Sequence, residues 1–159
     1  MITRNELMPI YLAIYRIAAA IIAMGQEHAP MLQLFRLGDD DVSVPLGMRL
    51  LDMSDKDSVA KLLRRARVEC GPRDVAVFIN EAWVAVTAKD ADLAAIMALP
   101  PRERPGAHEA VTFTFFGDGF EWWASCRIRR PDNTLEWMEL EDGAANMGRF
   151  AMTLAKVRG

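Results

Sequence analysis

The stretch "VAVFINEAWVAVT", residues 75–87, leaves this chain few folds to choose from. Val75, Val77 and Ile79 share one parity and Ala76 and Phe78 the other, so a strand built from them is apolar on both faces. Such a strand has to lie inside a sheet, with cover on each side. Asn80 and Glu81 then interrupt it, and strict alternation places Glu81 with Val77, Ile79 and Trp83. A carboxylate there is costly unless it is hydrogen-bonded or paired. The expectation is a buried Glu81 held by backbone amides or by an arginine.

The rest of the chain supplies partners for that strand. Near the N-terminus, Ile10, Ile14, Ile17, Ile21 and Met24 form a helical stripe, with Tyr11, Tyr15, Ala18 and Ile22 beside it. Its length and apolarity would suit a bilayer, but Pro9 and Arg16 interrupt it, and it is read as a helix buried over most of its girth. Pro9 belongs in a first turn, which sets the regular helix to begin near Met8. "LQLFRL" and "VSVPL" read as strands about a "GDDD" turn, and Pro45 marks the second as an edge or a strand end. A second helix follows with Ser54 as N-cap; Val59, Leu62, Leu63, Ala66 and Cys70 face inward, and Gly71-Pro72 stops it.

Beyond the long strand come a short helix over 93–99 and a proline-rich loop. "EAVTFTFF" and "FEWWASCRIRR" then flank "GDG" as a hairpin. "TLEWMEL" reads as a further strand, and the tail from Gly143 as a helix with Met147, Phe150, Ala151 and Leu154 inward. The order α-β-β-α-β-β-β-β-α, with hairpin-length late connections, predicts an α+β fold in a single domain, 1–159. Its antiparallel sheet would have about five to six strands, with helices packed mainly on one face.

Composition narrows the chemistry. With 52% hydrophobic and 26% charged residues the chain is globular, and a net charge of −3 exerts no global pull on nucleic acid or anionic membranes. Cys70 and Cys126 form neither a zinc motif nor a disulfide framework, which suits a reducing, cytoplasmic setting. His28 and His108 are the only histidines, and no metal or cofactor is expected. Asp39, Asp40 and Asp41 read as a solvated turn.

Three groups of side chains could carry function. Glu81 with Arg102 or Arg104 is the candidate polar site. Arg64, Arg65 and Arg67, placed on the outer face of the second helix, would form an anion patch if they met Arg129 and Arg130 at a strand end. Trp123 falls on the polar side of "FEWWASCRIR" with Glu121 and Arg127, opposite Trp122, and an outward tryptophan marks an interface unless a loop or helix covers it.

"VAVFINEAWVAV", followed by "RERPGAHEAVTF", resembles a group of small bacterial and phage proteins. They share an N-terminal helix, a helix with an acidic cap, a strand containing Glu-Ala-Trp, a Pro/Arg-rich loop and an antiparallel pair. The likeness covers about the middle two-thirds of the chain and implies that Glu81-Ala82-Trp83 and residues 102–104 belong together.

The leading functional expectation is a non-catalytic module that binds a protein partner or itself, as a homodimer through the first helix or a strand edge. An accessory or inhibitor role fits that reading. The rivals are a small enzyme using Glu81 with a loop arginine and a nucleic-acid or nucleotide binder using the arginine clusters.

Overall fold

The computed structural model describes residues 1–40, 42–85 and 92–143. The expected tail helix, the last two residues of the long strand run and Asp41 lie outside them. The chain begins with α1 (Arg4–Ala23), then β1 (Met31–Leu37), β2 (Ser43–Leu50), α2 (Lys56–Glu69) and β3 (Asp74–Val84). After these come α3 (Leu93–Ala98), β4 (His108–Gly117), β5 (Phe120–Arg129) and two short strands, β6 (Thr134–Leu135) and β7 (Glu141–Asp142). One antiparallel sheet runs β2-β1-β3-β4-β5-β6, and β7 also pairs with β5. The fold is α+β.

β3 is central, as its two apolar parities require. Val75, Val77 and Ile79 join Val111, Phe113 and Phe115 of β4 in the larger core, which α1 covers with Leu7, Ile10, Tyr11, Ile14, Ala18 and Ile22. On the other face Ala76, Phe78, Phe116 and Leu32 form a smaller cluster with Val59 and Leu63 of α2. Each fully buried phenylalanine contributes about 1.5–3 kcal/mol relative to exposure.

Several boundaries differ from the expectation, each for a local reason. α1 starts at Arg4 rather than near Met8, because Thr3 and Glu6 form a capping box that outweighs Pro9 inside the helix. The helix also buries one face rather than most of its girth: Leu12, Ile17 and Met24 are exposed. Asp55, not Ser54, caps α2, and Ser54 instead donates to Asp52. β2 continues to Leu50 and, as Pro45 indicated, is the sheet edge.

Thr134–Leu135 of "TLEWMEL" pairs with β5, and the Glu136 amide still donates to the Arg127 carbonyl. The segment then crosses α1. Trp137 stacks on Tyr11 with ring centroids 4.4 Å apart, and the Tyr11 and Tyr15 hydroxyls donate to the Met138 and Leu135 carbonyls. Those anchors draw the backbone off the sheet, which alternation alone cannot show.

Candidate functional site

Register fixes which side chains meet. Across the α2 face, Asn80 of β3 lies opposite Thr112 of β4, which lies opposite Ser125 of β5; the next rows are Thr114–Trp123 and Phe116–Glu121. Thr112 Oγ1 donates to Asn80, and Asn80 Nδ2 donates to the Glu81 carbonyl at 3.4 Å. The buried Ser125 hydroxyl has no hydrogen-bond partner among the described residues. The row is a set of polar interruptions that largely satisfy one another.

Glu81 is half-buried, and its Oε1 accepts the backbone N–H of His28 at 2.8 Å. The register explains why. The β1–β3 ladder ends at Met31↔Ile79, and the Pro30 carbonyl just beyond it accepts the Leu51 N–H on the β2 side. Past that end the Glu81 carboxylate takes the His28 amide and ties the α1–β1 connection to the central strand. The backbone-amide half of the expectation is met, although burial is partial.

No hydrogen bond or ion pair joins Glu81 to the loop arginines among the described residues. Arg104 donates to the carbonyls of Leu99 and Met97, and Arg102 is exposed on the short turn of helix Pro101–Glu103.

The arginine clusters do not converge. Arg67 is buried rather than on the outer face of α2, and its guanidinium lies 3.4 Å from Glu121 with side chains 5% and 2% exposed. Gly143 packs onto the same carboxylate: a Cβ there would fall 2.5 Å from Glu121 Cγ. Glu121 begins β5, whereas Arg129 and Arg130 lie at its far end, about 25 Å away at the usual strand rise. Arg65 pairs with Glu69, Arg129 with Glu136 and Arg130 with Glu109, while Arg64 is half-buried.

The three interface candidates separate in the same way. Glu121 is buried, Arg127 is exposed, and Trp123 is half-buried between Thr114 and Glu141 in register. Trp122 packs against the α1-face core as expected.

His28 and His108 each place Nδ1 on a nearby carbonyl, of Ala29 and Gly106. Burial pushes the Cys70 thiol up to about 11 and also raises that of Cys126, so neither is a ready nucleophile. No cluster of metal-ligating side chains occurs among the described residues. The recess at Ser54–Asp57 is the N-terminus of α2, already capped by Asp55.

The exposed apolar surface lies elsewhere, on β2. Val44, Leu46, Met48 and Leu50 are each about half exposed or more, on the strand that ends the sheet among the described residues. The sequence carried this signal: "VSVPLGMRL" alternates apolar residues over nine positions with Arg49 as its only charge. Compared with protein-family models, with curated proteins and with solved structures, the chain finds no match in any of the three.

Proposed function

We propose that this protein is a non-catalytic, cytoplasmic protein-binding module whose working surface is β2 and the sheet face beside it. An accessory or inhibitor role in a bacterium or phage is the biological setting that suits it. The observation that carries the reading is exposed Leu46, Met48 and Leu50, with Val44 also exposed beyond the bulge, on the other face. Water-exposed apolar side chains aligned on an edge strand are a liability unless a partner covers them. The polar groups that might have served chemistry are instead used locally, Glu81 on a backbone amide and Arg67 on Glu121. No membrane is invoked: α1 is long and apolar enough to cross one, yet its central stripe is packed on the sheet.

The test is a comparative capture from native-host lysate with wild-type chain and the double variant Met48→Glu/Leu50→Glu. A protein held by the wild type and lost by the variant is expected. Capture that does not depend on those residues, or a wild type that neither captures nor self-associates, would remove the reading.

A further inference from the structure

The surface can be defined more closely than β2 alone. Met48 and Leu50 stand in register with Gln33 and Met31 of β1, which in turn oppose Val77 and Ile79. They therefore belong to the α1 side of the sheet. α1 does not reach across it. Tyr15 bonds the Leu135 carbonyl on β6, so that flank of the helix faces the β5–β6 side. Ile17 lies on the opposite flank by helical spacing, as does Glu6, which pairs with Arg73 just before β3. The flank with Ile17 thus looks toward β1 and β2, and Ile17 is 59% exposed. On this placement the described residues leave a trough between the helix and the edge strand, floored by half-buried Met31, Gln33 and Phe35 and walled by Ile17, Met48 and Leu50.

We infer that this trough is a twofold interface and that its occupant is a second copy of the chain. The inference rests on the protein-binding reading above and deepens it. One feature favours a copy over a different protein, and two more set the size and mode of the contact. Arg49 stands in register with Leu32 and so projects to the opposite face, leaving the trough without a charged wall. An uncharged surface meets its own image with no like-charge repulsion, whereas a dissimilar partner is usually selected by complementary charge. The exposed parts of Ile17, Leu46, Met48 and Leu50, with the trough floor, amount to roughly 500 Å² per copy, which a polar rim would extend toward the roughly 800 Å² per partner of a stable interface. The contact is by face rather than by strand addition, because Pro45 and the bulge between Leu34 and Phe35 blunt the outer edge.

Sedimentation velocity on the full chain, from ~1 to ~100 μM, tests the inference by mass action. The wild type and a Val68→Glu control, on the exposed side of α2, are expected to form dimers. Met48→Glu and Ile17→Glu, one from each wall, should stay monomeric with unchanged circular dichroism, and Ile17→Glu decides if Met48→Glu fails to fold. A wild-type monomer throughout, or dimers in both wall variants, overturns the inference. A parallel titration with bis-ANS separates the two readings. If the wild type is a monomer whose dye binding is lost in Met48→Glu, the second copy is excluded and the apolar binding surface stands. If dye binding is equal in both monomers, the surface reading falls as well.

Discussion

At the scale of single residues, polar groups in this chain mend gaps in the backbone hydrogen-bond pattern. Glu81 holds the His28 amide just beyond the end of the β1–β3 ladder at Met31↔Ile79. Removing a charged acceptor costs about 1.5–3 kcal/mol when its donor is left without a partner. Glu81→Ala should therefore lower stability by roughly that amount in urea melts. Glu81→Gln, which keeps an acceptor oxygen, should lose less; equal losses would mean that the His28 contact contributes nothing. Asp74 gives a second, pH-dependent case. It accepts from Arg36 Nε at 2.7 Å and from the Gly71 amide at 2.9 Å, and the Arg36 hydrogen bond leads in holding its carboxyl below the ordinary carboxylate range. A depressed carboxylate contributes stability above its unfolded-state pKa, near 4, and loses that contribution as pH falls through the folded value. The wild type should accordingly be more stable than Asp74→Asn at pH 7, with the gap closing in acid; a gap constant with pH would refute the assignment.

At the scale of elements, the sequence was most legible where periodicity is enforced by burial on both sides. The two apolar parities of "VAVFI" required a covered central strand, and β3 is one. The hairpin at "GDG" and the edge position of β2 followed from turn and proline chemistry in the same direct way. What stayed hidden depends on partners distant in sequence. Arg67 lies beside the apolar face of α2, and only the arrival of Glu121 from β5 makes its burial tolerable. The path of residues 136–140 likewise depends on Tyr11 and Tyr15, over a hundred positions earlier. The start of α1 was readable but overlooked: "TRNE" is a capping-box pattern. Arg67 and Glu121 yield an element-scale prediction. Arg67→Met alone should cost about 3–5 kcal/mol by stranding a buried carboxylate, and Arg67→Met/Glu121→Leu markedly less. Additive losses in a double-mutant cycle would show that the pair is not coupled.

At the scale of the whole molecule, the sheet is unevenly covered. α1 and the 135–140 crossing seal the β4–β5 side of one face, and α2 covers part of the other. The β1–β2 end of the α1 face is left as an apolar trough. The proposed contact between copies uses the flank of α1 with Ile17 and the inner face of β2. Trp123, the interface candidate from alternation, is half-buried between β4 and β7 instead. The most direct measurement of this central claim is amide hydrogen exchange, read peptide by peptide at ~1 and ~100 μM protein. The expected result is slower exchange at the higher concentration, confined to peptides from β1, β2 and the second half of α1. Exchange independent of concentration, or slowing confined to the β5–β7 edge around Trp123, would contradict it.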